Sequence, residues 1–343
     1  MERRMEQRAH RSSTLGKIVF PIFLAAAAYL VLLTYGHVND LGAALKSFRL
    51  VYVVPVIALA LANYGLRFAR WHYYLRRCEL NVPLRESVAV FFSGFAMSIT
   101  PARVGELLKC VLLRDEAGVK MSVSVPVVVA DRVSDVVAVC LLVAAGTVRY
   151  SVARGASLLA IGATVLIVAA LGYSPWVAGA ATRVFRRRFA RGSEASTVVA
   201  QEAAGVFAVL LRGRPLLVGI ALGVFAWFAE CTALYVVLGG LGSTTVTLYA
   251  VTFVYALSTL GGALSLLPGG LGVTEFGMTA LLVLFGVARN TAVAAVLIVR
   301  LCTLWFAAAL GLVVYLLHRR RVARLRSAKN PPAGMREVHA LED

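Results

Sequence analysis

Apolar runs long enough to cross a bilayer recur along this chain, and they constrain its fold more than any other feature. Uninterrupted runs lie at about Ile18–Tyr35, Leu50–Leu66, Ser122–Thr147, Ser157–Tyr173, Pro215–Leu238 and Ala292–Leu317. Each is close to the roughly twenty helical residues that span a hydrocarbon core of about 30 Å. Two further apolar regions, about 87–113 and 247–287, are interrupted by Pro and Gly. In lipid every backbone N–H and C=O must be bonded internally, so helices are the natural state of such runs. Composition agrees, since 60% of the 343 residues are hydrophobic and 15% charged, against about half and a quarter in a soluble domain.

The formal net charge of +18 raises nucleic acid as a partner, but the basic residues are distributed as a topology signal. Arg and Lys crowd Met1–Lys17, Arg67–Arg85, Arg183–Arg191 and Arg319–Lys329, while the stretches Gly36–Arg49, Arg149–Ala156 and Gly239–Thr247 carry two, two and none. The positive-inside rule then puts both termini in the cytoplasm, in an integral plasma (cytoplasmic) membrane protein that binds no nucleic acid. The first run reads as a retained anchor, because it is about eighteen residues long and Gly36-His37-Val38-Asn39-Asp40 offers no small-x-small cleavage site. Cys78, Cys110, Cys140, Cys231 and Cys302 form no C-x-x-C pair and the five histidines fall outside the runs, so no disulfide framework, metal site or cofactor is expected. The expected organisation is a basic N-terminus (1–17), one transmembrane domain (18–318) and a basic, disordered cytoplasmic tail (319–343). Val198–Leu211 reads as an amphipathic helix on the inner leaflet. Trp71, Tyr73, Tyr74, Tyr173 and Trp176 fall at expected span ends, where such rings settle at headgroup level. Gly219 and Gly223 make a weak helix-contact motif.

Eight ionisable residues stand inside these apolar stretches: Arg103, Glu106, Asp131, Arg132, Asp135, Glu230, Glu275 and Arg300. At roughly 2.5–3.5 kcal/mol for each uncompensated charge at mid-bilayer, the set costs on the order of 20 kcal/mol unless its members pair or line a wet cavity. Such a set points to a site.

The two interruptions share a pattern. Ser98-Ile-Thr-Pro101-Ala-Arg103-Val-Gly105-Glu106 and Ser265-Leu-Leu-Pro268-Gly-Gly-Leu-Gly272-Val-Thr-Glu275 both read Ser-x-x-Pro-x-x-x-Gly followed by Glu, 167 residues apart. Matched Pro/Gly breaks in two halves mark transporter binding sites, because unwound backbone at membrane depth survives only where it lines a protein-enclosed or watery cavity. Counting crossings from a cytoplasmic N-terminus sends one hairpin in from each side. The fold expected is therefore an all-α polytopic membrane protein with about six full spans plus two inverted, Pro/Gly-broken re-entrant helical hairpins. Thr100 reads as an N-cap before Pro101 at the first helical position, and the half-helix it opens presents an anion-binding end beside the forked cation of Arg103. Gly105, Gly269, Gly270 and Gly272 allow close backbone approach. A kinked core helix is the plain alternative.

Asp131, Arg132 and Asp135 fall at roughly 0°, 100° and 40° around a helix, one sector facing the bundle, with Arg132 and Asp135 spaced for an i,i+3 pair. A self-satisfied ion pair and a ligand site both fit this arrangement. Arg300 has no acid nearby in sequence, so Glu106, Glu275 or a substrate phosphate is its expected partner. Glu230 fits a carboxyl bonded to a neighbouring helix as well as a functional one.

In this order, Ser98-Ile-Thr-Pro-Ala-Arg-Val-Gly-Glu106, Asp131-Arg-x-x-Asp135, Leu267-Pro-Gly-Gly-Leu-Gly-Val-Thr-Glu275 and Arg300 closely resemble the signature of the lysylphosphatidylglycerol synthase transmembrane-region family, also described as flippase-like membrane proteins. The family commonly has Gly at Ala102 and Glu-Arg at Asp131-Arg132, departures that keep the charge pattern. The resemblance implies two re-entrant hairpins and the binding or translocation of phospholipids or polyprenyl-linked lipids. Some members carry a soluble aminoacyl-transfer domain. No soluble stretch of these residues is long enough for one, so synthase activity is not carried over.

Two functions remain open at this level. One is a lipid flippase or transporter for an anionic phospholipid or polyprenyl-phosphate-linked lipid, with Arg103, Arg132 and Arg300 on the phosphate and Glu106, Asp131, Asp135, Glu275 and Glu230 as coupling or cavity carboxylates. The other is a membrane enzyme, or an accessory subunit with a membrane or cytoplasmic synthase partner, for lipid-linked sugar or aminoacyl-lipid synthesis. Catalytic residues are not expected, since the runs hold no His, serine nucleophile motif or Asp-x-Asp.

Overall fold

The computed structural model describes residues 38–97, 100, 106–149, 155, 158, 161–162 and 193–329, and among these every regular element is helical. The helices are α1 (Val38–Ser47), α2 (Val53–Arg77), α3 (Leu84–Ser93), α4 (Leu108–Ala117), α5 (Met121–Arg149), α6 (Ser193–Leu210), α7 (Gly213–Gly240), α8 (Leu248–Leu264), α9 (Val273–Leu284), α10 (Arg289–Arg300) and α11 (Phe306–Lys329). Tight 3-10 turns at Leu50–Tyr52, Gly94–Met97 and Pro268–Gly270 and a π-helical turn at Leu301–Trp305 connect or extend them.

Three stretches, Leu50–Arg77, Gly213–Gly240 and Arg289–Val322, are long and apolar enough to cross a bilayer. Their outer faces stay apolar in the open, with Leu50 78% and Phe225 64% exposed, a surface that suits lipid and would be a liability in water. α5 has the length at 29 residues, but Asp131, Arg132 and Asp135 stand in its middle, more charge than a plain span carries. The run expected at Ile18–Tyr35 lies outside the described residues, as does Ser157–Tyr173 apart from helical Leu158, Ile161 and Gly162.

Several local expectations are corrected. The sequence reading ends the second run at Leu66 and leaves Arg67 and Arg70 in a solvated loop, yet α2 continues to Arg77 and buries both. The helix continues because acids on α5 meet the two arginines, a compensation that hydropathy does not register. Trp71 and Tyr74, expected at headgroup level, are buried in the core instead, Trp71 against Phe91 and Tyr74 through a 2.7 Å hydroxyl bond to Ser134. The stretch Gly36–Arg49 contains α1, whose Leu41 packs on Val293 and Ala294 of α10. The tail expected to be disordered from residue 319 is helical through Lys329, since Arg, Ala, Leu and Lys are strong helix formers; residues 330–343 lie outside the described set. Tyr173 and Trp176 also lie outside it. Val198–Leu211, read as an amphipathic helix, does fall in α6 and its end, with Ala203, Leu210 and Leu211 buried against the protein and Val198 and Val209 exposed.

The apolar interior divides into two cores. One joins α5, α7, α8, α9 and α10 through Val143, Leu234, Phe253 and Val296. The other joins α2, α3, α4, the start of α5 and α11 through Trp71, Phe91, Leu113 and Ala307. Along α5 the change from Ala130 in one core to Ala138 in the other brackets Asp131, Arg132 and Asp135. The charged site therefore lies on the seam.

Candidate functional site

The first half of the site grows from one stripe of α2. Asn63, Arg67, Arg70 and Tyr74 recur at i, i+4, i+7 and i+11, the spacing that keeps side chains on one helix face. Arg70, fully buried, donates from Nε to Asp131 Oδ1 and from Nη2 to Asp135 Oδ1, both at 2.7 Å. Arg67 Nη2 donates to Asp135 Oδ2 at 3.2 Å. Arg132 reaches Asp131 at 2.6 Å, Asp135 at 3.0 Å and Glu106 at 3.3 Å. Buried Lys109 stands 3.4 Å from Glu106, with its ammonium 4.6 Å from the ring centre of Phe91 and 5.2 Å from that of Trp71. Within this network, among the described residues, four cations face three carboxylates.

Glycines make the room these side chains need. A Cβ on Gly219 would sit 1.7 Å from the Tyr74 hydroxyl, one on Gly223 2.9 Å from Arg70 Nη1, and one on Gly94 2.4 Å from Lys109 Cε. The Gly-x-x-x-Gly of α7 is thus a contact face for Tyr74 and Arg70 as well as for helix backbone.

The second half forms around Pro268. Gly269 and Gly270 take φ of 60° and 68° and Gly272 87°, the region that L side chains avoid. A Cβ on Gly262 of α8 would meet Thr274 Oγ1 at 1.9 Å, so α8 and the start of α9 approach closely. Glu275 fastens the turn with both oxygens: Oε2 accepts from Gly272 N at 2.7 Å and Oε1 from Arg300 Nε at 2.6 Å. Arg300 Nη2 also donates to Gly269 O at 3.0 Å. The π-helical turn that follows Arg300 presents Thr303 O to the Tyr64 hydroxyl at 2.6 Å. Such turns recur at functional positions in helices.

The halves meet around a cavity of about 270 Å³, whose lining includes Tyr64, Arg67, Glu106, Arg132, Asp135, Trp227, Glu230, Tyr255, Thr259, Gly269, Gly270, Thr274, Arg300 and Thr303. Glu230 Oε2 accepts from the Tyr255 hydroxyl at 2.6 Å, and Trp227 Nε1 donates to Asp135 Oδ1 at 3.2 Å. One edge of the cavity is Leu266, 66% exposed.

Of the expected site residues, Glu106, Arg132, Asp135, Glu230, Gly269, Gly270 and Arg300 come together at this cavity. Asp131 and Glu275 lie behind it, paired with Arg70 and Arg300, and Gly272 closes the second turn. Thr100 is apart from the lining, with its hydroxyl donating to Met97 O at 2.8 Å. Arg103 and Gly105, with Pro101, lie outside the described residues. Arg67, Arg70, Lys109, Tyr64, Trp227 and Tyr255 were not anticipated. The polar stripe on α2 and the i,i+3 spacing of Glu106 and Lys109 were the signals available.

Comparison with known proteins fixes the relationship. The family described as the lysylphosphatidylglycerol synthase TM region matches residues 18–311. The chain belongs to that family. It is also similar to a UPF0104 membrane protein of Methanothermobacter thermautotrophicus, 26% identical over 310 residues that cover 84% of this chain and 90% of the relative. A UPF0104 membrane protein of Pyrococcus horikoshii is 23% identical over 325 residues, covering 87% of this chain and 96% of the relative. As a member of the lysylphosphatidylglycerol synthase TM region family with helices long and apolar enough to cross a bilayer, the chain is an integral membrane protein.

Proposed function

We propose that the protein binds the phosphate-bearing headgroup of an anionic phospholipid or a polyprenyl-phosphate-linked lipid in this cavity and passes it between leaflets. The observation that carries this reading is a buried, charge-lined cavity with an apolar, exposed edge at Leu266 inside a bundle of membrane-crossing helices. At about 270 Å³ it falls just under the range of small-ligand sites, roughly 300–1,000 Å³. That is room for a headgroup, while acyl or prenyl chains stay outside along the exposed leucines. Both broken segments contribute to the lining, Phe95 and Glu106 on one side and Gly269, Gly270 and Thr274 on the other, which favours two hairpins entering from opposite faces around a midplane site. Basic clusters at both ends favour cytoplasmic termini.

The test is headgroup accessibility in vesicles reconstituted with matched amounts of folded protein. Thr259 lines the cavity and carries no charge, so Thr259→Trp fills the space without altering the ion pairs and is expected to abolish lipid movement. Arg76→Gln, on the exposed end of α2, is expected to leave it intact. If wild type, Thr259→Trp and protein-free vesicles are equal across phospholipids and polyprenyl phosphates, the transport reading fails and an accessory role in lipid synthesis takes its place.

A further inference from the structure

The cations around α5 divide into two groups. Arg70 and Lys109 are fully buried and absent from the cavity lining, whereas Arg67 and Arg132 belong to it. Arg70 by itself reaches from α2 to both Asp131 and Asp135, which ties α2 to α5 without help from Arg67. Arg67 is in this sense a spare cation, aimed at the cavity and braced by the rings of Phe95 and Trp227, each 5.8 Å from its guanidinium carbon.

Arg67 Nη2 and Arg132 Nη1 converge on a single atom, Asp135 Oδ2, at 3.2 and 3.0 Å. The two nitrogens are therefore at most about 6 Å apart, a gap that one phosphate bridges when two of its oxygens each accept a charge-assisted bond of about 2.7–2.9 Å. The Nε atoms of both arginines are buried and, among the described residues, without a hydrogen-bond partner. Each guanidinium thus keeps a donor that Asp135 does not use, in an environment where an unmade bond is costly. Asp135 meanwhile accepts from Arg67, Arg70 and Trp227 and is also ion-paired with Arg132, so three cations crowd one carboxylate.

Resting on the lipid-headgroup reading above, we propose that Arg67 and Arg132 form the phosphate seat of the cavity, and that Asp135 Oδ2 is an internal anion holding their N–H groups until a phosphomonoester or phosphodiester oxygen takes them over. In this arrangement Asp135 keeps the seat charged and ordered between occupants, and competition between its carboxylate and the phosphate sets how firmly an occupant is held.

The experiment titrates the full chain in detergent with dihexanoyl phosphatidylglycerol, inorganic phosphate and uncharged dihexanoylglycerol, reading binding by calorimetry and by thermal stabilisation. Wild type is expected to bind the phospholipid and not the uncharged lipid. Arg67→Gln is expected to weaken this by roughly tenfold, the loss of charge-assisted bonds to phosphate. Asp135→Asn keeps an acceptor for Trp227 but removes the competing charge, so it is expected to bind the phospholipid roughly tenfold more tightly and to gain more thermal stability from it than wild type. Should Asp135→Asn fail to fold, Arg67→Gln decides the matter, because Arg70 still joins α2 to α5. Wild-type binding that neither variant alters overturns the seat and leaves the lipid reading standing. Weaker binding by Asp135→Asn overturns the competitor role. Inorganic phosphate bound as tightly as phosphatidylglycerol supports the seat and overturns a lipid occupant, and no binding of either phosphate probe overturns both proposals.

Discussion

The two broken segments carry the same Ser-x-x-Pro-x-x-x-Gly pattern and end on a glutamate, yet their glutamates are held in different ways. Glu275 spends one oxygen on Arg300 and the other on Gly272 N, and Arg300 returns a bond to Gly269 O; the acid and base belong to one compact clasp on the turn. Glu106 shares Arg132 with Asp131 and Asp135 and shares Lys109 with the aromatic wall, inside a network that, among the described residues, holds four cations and three carboxylates and spans three elements. A clasp fixes backbone. A network that, among the described residues, has one more cation than carboxylates and two Nε donors without a hydrogen bond suits the exchange of partners proposed above. One motif thus supplies a self-contained clasp on one side of the cavity and a glutamate shared among several cations on the other.

The sharpest way to break this comparison is to remove the cation on which the network is built. Arg70→Leu leaves Asp131 and Asp135 short of their buried partner and is expected to cost about 3–5 kcal/mol, read as the loss of folded protein in detergent unfolding. Arg67→Gln should cost far less in the same assay, since its charge is duplicated by Arg70. Equal losses would erase the distinction between structural and spare cations.

The clasp is tested by a double-mutant cycle. Glu275→Gln and Arg300→Gln are each expected to destabilise by about 3 kcal/mol, and the double variant by clearly less than their sum, because the second change removes a charge that the first left unpaired. Additive losses would mean that the two side chains act independently despite their 2.6 Å contact.

Close approach in the second half gives a smaller effect. Gly262→Ala drives a methyl into Thr274 Oγ1 and is expected to cost about 1–3 kcal/mol by overpacking. Adding Thr274→Ala should recover part of the loss, and a failure of that rescue would place the strain elsewhere.

The smallest expected effect lies outside the bundle centre. Lys120 and Ser122 bond Glu202 on α6 at 2.5 and 2.6 Å, and these bonds hold its carboxyl below the ordinary value of 4.5. A lowered acid stabilises the fold above its unfolded pKa, and that contribution fades as pH falls through the folded one. The melting difference between wild type and Glu202→Gln is therefore expected to be present at neutral pH and to shrink on acidification. A difference that grows in acid would reverse the sign.

Much of the architecture was legible because lipid is a demanding solvent. Run length and apolarity located Gly213–Gly240 and Arg289–Val322 to within a few residues and the start of Leu50–Arg77, and the Pro and Gly breaks marked where α8 gives way to α9. The charged residues within those runs were visible as a set for the same reason. The pairing of Arg300 with Glu275 was one of three partners the sequence left open, and its 25-residue separation carries no local signal that would choose among them.

What the sequence determined by itself was the class of fold, the family and the existence of a polar centre, since each follows from residue type and order along the chain. Only the tertiary structure decided which charges form that centre. Arg67 and Arg70 read as loop residues, Lys109 went unnoticed, and Trp71 and Tyr74 read as interface anchors, until α5 brought Asp131, Asp135 and Ser134 to them and α7 offered glycines where their bulk fits. Hydropathy assigns every charge the cost it has alone in hydrocarbon. The real cost depends on the partner supplied by a distant helix, and that partner exists only once the bundle has formed.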